Sequence, residues 1–452
     1  MRWGVLTTGW ILLAMAIMPP GRNVCAAEDG RRAKSAIQPI VVRSKDRRRR
    51  VQELIKQLDA DLRTVRVRAV RELLRLGPEI LPDLPPPELL PNAAVRQAVR
   101  RVRLKLERQK AIASVRSSRV TLRNRTRSLA ALFHAITAET HNRIVPARLP
   151  AETTRQQFTV DYDRQPFWKV IDDLARRSKL RVRGEGGVVK LGPRIKASKS
   201  ADIAVAYSGP FRIAVQGAET RPLLGDATHR KLRLRLALLA EPRLRPLFLK
   251  FTAGDIVPSA SGTLIEPLVR DAKYERPLGE GGKSIPVLLD FKVPLAARLS
   301  QIGLTGRMAM TTAAGEETIR FRQAASARDV ARRRGGVTVT LREMTFGKKV
   351  KGERSAQVQV AVSYDTGGPA FESHRTWMFH NRVYLLTKTG RRIDRSPGLT
   401  TSLQADGAVA VDYRFDHLTS DPGDYDFVYM APTLIIDVPI EFALKKILVS
   451  RD

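Results

Sequence analysis

Polar and apolar residues alternate without a break over "KLRLRLAL", residues 231–238, where Leu232, Leu234, Leu236 and Leu238 oppose Lys231, Arg233 and Arg235. A period of two is that of a strand with one buried face. Further strand candidates are "FRIAV", "VLLDF", "MAM" and "TIRFR", with Gly and Pro turn residues between them. After the basic stretch "SARDVARRRGG", which reads as a linker, comes a second series: "VTVTL", "VQVAV", "AVAVDYRF", "DFVYM" and "LIIDVPIEF". Regular short strands with almost no helical period predict two β-sandwich domains, residues 203–325 and 336–450. Neither carries a motif that points to a named family.

Nearer the N-terminus the period is helical. In "LRTVRVRAVRELLRLG", Leu62, Val65, Ala69, Leu73 and Leu76 fall on one face and Gly77 is placed to stop the helix. After the Pro-rich "GPEILPDLPPPELLP" comes "AAVRQAVRRVRLKLERQK", whose Val95, Val99, Val102 and Leu106 form a narrow apolar stripe. The pattern of an acidic residue, Val-Arg, Ala three on and a terminal Leu-Gly resembles the second helix of a HEAT repeat. One good copy and one degraded copy are fewer than a free-standing solenoid needs. Residues 51–112 are therefore expected to form a HEAT-like helical stub.

The stretches "RVTLRNRTRSLAALFHAITAETHNRIV" and "QFTVDYDRQPFWKVIDDLARRSKLRVR" align without gaps at a spacing of 38 residues. Val120 matches Phe158, Leu129 matches Phe167, Ile136 matches Leu174 and Ile144 matches Val182. Each copy reads as strand, helix, strand. With the added strand "GGVVKLG", residues 119–192 resemble the short N-terminal domain of secretins and TonB-dependent proteins. The resemblance implies an envelope docking module. The predicted fold class is thus multidomain, α+β and then all-β.

Composition adds a location. Arg2, the apolar run "GVLTTGWILLAMAIM", Pro19-Pro20 and the small residues of "CAA" read as a signal peptide over residues 1–27. The protein is expected to be exported, periplasmic or secreted, with no transmembrane segment once the leader is gone. Cys25 is the single cysteine, so the mature chain would hold no disulfide, thiolate nucleophile or cysteine metal site. The formal charge is +35, and residues 28–127 carry 27 Lys and Arg against 11 Asp and Glu. Residues 28–50 read as a basic disordered segment. Export argues against genomic DNA as the partner. Envelope proteins are the expected partners, with anionic polymers (acidic glycan, extracellular nucleic acid or anionic lipid) as the alternative. The oligomeric state is left open.

Candidate chemistry is sparse. His374 and His380 in "SHRTWMFHNRVYL" would stand about 20 Å apart on a strand. They would lie about 120° apart on a helix. Neither geometry makes a metal pair. "VAVSYDTGG" resembles the catalytic turn of aspartic proteases at Asp365, but that chemistry needs two carboxylates and no second D-[ST]-G occurs. The Lys388-Thr389-Gly390 run resembles a strand of penicillin-binding proteins, whose S-x-x-K partner is missing. Asp412, Asp416, Asp421, Asp424 and Asp426 miss the calcium-loop spacing. No catalytic residue, metal ligand or cofactor is assigned, and the expectation is a non-enzymatic scaffold, with an aspartic-protease-like hydrolase as a remote alternative. The candidate anion site is the helix around residues 94–110. There Arg96, Arg100 and Arg103 lie on one flank of the stripe, and Arg101, Lys105 and Arg108 on the other.

Overall fold

The computed structural model describes residues 45–185, 187–193, 204–277, 285–364, 381–405 and 408–451. They fall into two compact units that divide between Leu106 and Glu107. Among the described residues no helix is long and apolar enough to cross a membrane.

In the first unit, helix α1 (45–57), helix α2 (Arg63–Leu76) and the first turns of α3 (Ala93–Ser114) enclose one core. Val95, Val99, Val102 and Leu106 are all inside it, so the narrow stripe on α3 is the buried face. Two expectations need correction. Residues 45–50 are helical, because Val51, Leu54 and Leu58 reach the core only if the helix begins before them. Four consecutive arginines concealed that start; Arg47 donates to the nearly buried carboxylate of Asp83 at 2.7 Å. On α2 only Ala69 and Leu73 are fully buried. Leu62 stands at the N-cap, outside the helix, and Leu76 is its last residue; they are 66% and 38% exposed.

The second unit begins with an α+β domain of the predicted order. Its elements are β1 (Arg119–Ser128), α4 (Leu129–Thr140), β2 (Ile144–Pro146), α5 (Ala151–Arg155), β3 (Gln157–Pro166), α6 (Phe167–Arg177), β4 (Leu180–Glu185) and β5 (Val188–Pro193). Equivalent elements start at residues 119 and 157, and at 129 and 167, the spacing at which the two sequence copies align. β1 pairs antiparallel with β3, while β5 lies between β2 and β4. Leu132, Phe133 and Ile136 from α4 meet Trp168, Ile171 and Leu174 from α6 in a shared core.

The β half opens with β6 (Val205–Ser208), β7 (Phe211–Pro222), β8 (His229–Ala240) and β9 (Arg245–Thr252). Short strands β10 (Ile256–Ser259), β11 (Glu266–Pro267) and β12 (Lys273–Pro277) lead to β13 (Ile285–Pro294) and the 21-residue β14 (Gln301–Phe321). Next come β15 (Val330–Arg334), β16 (Val337–Phe346), β17 (Arg354–Tyr364), β18 (Arg382–Thr387) and β19 (Arg392–Asp394). After β20 (Leu399–Ala405) and β21 (Ala408–Leu418) follow the 24-residue β22 (Tyr425–Leu448) and β23 (Ser450–Arg451).

These strands form β-sandwich-type sheets. One sheet runs β11-β13-β8-β7-β23 with β6 on β7, and another runs β15-β16-β17-β21-β20. The third, β12-β9-β14-β22-β18-β19 with β10 on β14, is shared by both sandwiches. The alternating leucines of β8 all face inward, at most 2% exposed. The boundaries at 203–325 and 336–450, however, are corrected by the two long strands. Ile302, Leu304, Met308 and Met310 of β14 lie in the first core, with Val438, Ile440, Phe442 and Leu444 of β22. Ala313, Ile319 and Phe321 lie in the second, with Tyr425, Phe427 and Tyr429. Chain order is therefore first, second, first.

The parity of these positions carries a further result. First-core residues on both strands are even-numbered from Leu304 to Leu444, and second-core residues are odd-numbered. The β14–β22 ladder has no bulge between Leu304 and Phe321. Side chains of opposite parity on an unbulged strand face opposite ways. The two cores therefore lie on opposite faces of the shared sheet. The supposed basic linker is also structured: Arg334 pairs with Val337 across Gly335 and Gly336, both at positive φ (55° and 76°), a two-residue hairpin that suits paired glycines.

Candidate functional site

The six cations of α3 separate into two groups. Arg96 donates to the carbonyls of Leu90 (2.8 Å) and Pro91 (2.7 Å), and Arg103 to that of Leu84 (2.9 Å). Both are half-buried and hold the Pro-rich connection onto the helix, where backbone carbonyls lack helical partners. Arg100 is exposed. On the other flank Arg101, Lys105 and Arg108 are all exposed. Of the two flanks of the apolar stripe, the one with Arg96 and Arg103 is spent on the fold, and Arg101, Lys105 and Arg108 on the other are exposed.

The acidic run at 412–426 is dispersed. Asp416 accepts from Arg414 at 2.9 Å, Asp424 pairs with Lys388, and Asp426 accepts from Arg320 (2.7 Å) and from the Gln323 N–H (2.9 Å). Among the described residues no group of three His, Cys, Asp or Glu is placed to hold a metal ion. Lys388, Thr389 and Gly390 form the turn after β18. Asp365, His374, Trp377, Phe379 and His380 lie outside the described residues, as do the leader and residues 28–44.

Sequence reasoning missed a heavily bonded side chain of the second unit, Glu241. It follows β8, is fully buried, and joins the α+β domain to the first sandwich. Its carboxylate accepts from the Ser118 N–H (2.9 Å), Ser118 Oγ (2.5 Å), Ser117 Oγ (3.1 Å), Asn142 Nδ2 (3.1 Å) and Arg243 Nε (2.8 Å). Arg243 in turn donates to the carbonyls of Ser114 and Arg116, at and just past the C-terminal end of α3. Its own N–H donates to Asn142 Oδ1 at 3.0 Å. Helix α4 ends on His141 in the left-handed conformation, and the next residue is the buried Asn142. One signal was present: Glu241-Pro242 interrupts an otherwise apolar strand end, "LALLAEP". Its partners Ser117, Ser118 and Asn142, 99 to 124 positions away in sequence, left none.

A second set of bonds supports the same junction. Asp172 of α6 accepts from Arg212 Nε (2.8 Å) and from the Tyr207 hydroxyl (2.7 Å), and Trp168 Nε1 donates to the Pro210 carbonyl (2.9 Å). Burial, and then the charge of Asp172, push the Tyr207 hydroxyl well above its ordinary pKa, so it stays a donor throughout the ordinary pH range. Leu239 of β8 enters the α+β core, where Gly184 leaves room for it: a Cβ there would lie 2.5 Å from the leucine side chain. A cavity of about 50 Å³ beside Trp168, Leu239 and Pro242 has room for little beyond water. This carboxylate takes donors from both sides of the junction, Ser118 and Asn142 on one and Arg243 on the other. It is a clasp.

Fold and site together define a chain with a short helical unit, a repeated strand–helix–strand domain and β-sandwich-type sheets. Comparison with models of known families and with curated proteins found no match.

Proposed function

We propose that this chain is an exported, non-enzymatic scaffold or docking protein of the cell envelope, acting through protein–protein contacts. The observation that carries the reading is the clasp. It fixes the α+β domain to a frame in which two sandwiches share one sheet, so a surface on that domain is held in a set direction. The leader-like N-terminus and the resemblance of residues 119–192 to the secretin and TonB short N-terminal domain support the envelope location. The β1/β3 ribbon suits contact, since nearly all of β1 is exposed, including Arg125 and Arg127. A strand whose far edge is unpaired can accept a partner strand. The test places a photo-cross-linking residue at Arg125 in living cells, with the fully exposed Leu224 as control. One discrete protein adduct from Arg125 alone is expected. No adduct, or the same adducts from both positions, would refute docking through this ribbon.

A second reading, binding of an anionic polymer, is favoured by the exposed flank Arg101/Lys105/Arg108. Replacing these three with Gln should lower the salt slope of heparin retention by about two to three units, at roughly one unit per neutralised charge. Replacing Arg96, Arg100 and Arg103 should lower it less and destabilise the first unit, because two of the three hold backbone carbonyls. Equal retention of wild type and the first variant would make the flank a merely solvated face.

A further inference from the structure

The outer face of the β15-β16-β17-β21-β20 sheet carries a polar cleft of about 700 Å³. Such a volume lies in the range of small-ligand sites, about 300–1,000 Å³. Its floor follows from strand pairing. Thr345 on β16 opposes Gln357 on β17, and Gln357 opposes Arg414 on β21. One rung over, Asp412 opposes Thr400 on β20. The intervening Val358, Val411, Tyr413 and Phe415 are buried in the second core, so alternation turns the floor residues outward. Four adjacent strands give a floor about 14 Å across. One wall is Phe346-Gly347 with Ser355, and the other is Pro397-Gly398.

The lining is polar and of mixed character. Three hydroxyls, an amide, a carboxylate and a guanidinium supply both donors and acceptors. Asp412 and Arg414 cancel in charge within a protein of formal charge +35, and Arg414 also donates to Asp416 at 2.9 Å. A phosphate or polyanion would meet the Asp412 carboxylate and an Arg414 already bonded to Asp416, and a hydrocarbon would strand the polar floor. Pro397 adds apolar surface beside the hydroxyl-binding groups, while the ring of Phe346 turns inward to the second core, 6.2 Å from that of Tyr425. A ligand with many hydroxyls, apolar C–H faces and no net charge satisfies all of these at once. We infer that this cleft binds a neutral sugar, as a free oligosaccharide or a segment of a glycan. The site is separate from the clasp and from the β1/β3 ribbon, so its failure would leave the docking reading standing.

The test is titration calorimetry of the full chain with cellotetraose, maltotetraose and chitotetraose, and with oligogalacturonate as the acidic counterpart. At least one neutral tetrasaccharide should bind, with an affinity that changes little between low salt and about 0.5 M salt, because a neutral ligand offers no charge for salt to screen. Gln357→Leu should weaken it about tenfold, the loss that goes with one unmet polar group. Should that variant fail to fold by circular dichroism, Thr400→Val takes its place with the same expectation. Replacing Arg101, Lys105 and Arg108 should leave sugar binding unchanged. The inference is overturned if no neutral sugar binds, if the cleft variants bind as wild type does, or if oligogalacturonate alone binds and salt abolishes it.

Discussion

Removing the carboxylate of Glu241 should release the α+β domain from the first sandwich. In Glu241→Ala, Arg243 keeps its charge at a site where its side chain is 19% exposed, and Asn142 and the Ser118 N–H lose their acceptor. Breaking a buried ion pair by deleting one partner costs about 3–5 kcal/mol. The contacts at Asp172 and Trp168 remain, so the domain should loosen before the sandwiches unfold. Trp168 reports on this, being 1% exposed and bonded to Pro210. In a Trp377→Phe background, and with the leader removed, it would be the only tryptophan. A red shift of its emission at a denaturant concentration below the main transition is expected in the variant and not in the parent. The double variant Glu241→Ala/Arg243→Met removes both charges and should recover much of the loss, as a coupling of about 1–3 kcal/mol in a double-mutant cycle. A single-variant cost below about 1 kcal/mol, or additive effects in the cycle, would show that the carboxylate is not the clasp.

Other outcomes follow from single positions. A Cβ on Gly306 would come within 2.6 Å of the Phe442 ring and 2.7 Å of Ile256. Gly306→Ala should therefore cost about 1–3 kcal/mol of stability in a denaturant titration, while Gly423→Ala, with open space around it, should stay within about 0.5 kcal/mol. Hydrogen bonding to the Arg233 guanidinium holds the Asp290 carboxyl below its ordinary value, against some desolvation. Its contribution is then present above the unfolded pKa, about 3.9, and is lost as the pH falls through the lower folded value. Asp290→Asn should flatten that part of the acid-unfolding curve, and an unchanged curve would discount the pair. Mass spectrometry of the protein from its native source should find an N-terminus near Glu28. An intact Met1 would end the export reading.

Features that depend on near neighbours were legible in the sequence. The leucines of β8 needed only a period of two, and the core stripe of α3 only a helical one. The repeat in the α+β domain was visible because corresponding core positions keep one spacing. What stayed hidden depends on distant partners. Nothing local distinguishes Arg96 and Arg103 from Arg101 and Lys105; the difference is which flank meets the carbonyls of the Pro-rich connection. The arginines before Val51 read as a disordered run because their charge outweighed three core positions beyond them. Turn residues divided the β half in two, yet β14 and β22 run on as continuous strands where they pass from one core to the other, with Leu434 at positive φ (53°) at that point. Glu241 looked like an ordinary strand-end acid.

The passage of β14 and β22 through both cores bears on how the molecule is made and how it can be rearranged. A chain synthesised from its N-terminus presents β6 to β13 and the first half of β14 long before Val438, Ile440, Phe442 and Leu444 arrive. Until they do, the first sandwich lacks one strand of the shared sheet, and the core around Ile256 and Met310 is incomplete. Closing that seam requires contacts between segments far apart in sequence, which makes late, slow assembly the expected course. Neither sandwich can be excised, swapped or duplicated by a single cut, since every cut within the second removes strands that finish the first. Genetically as well as mechanically, the two halves form one heritable piece.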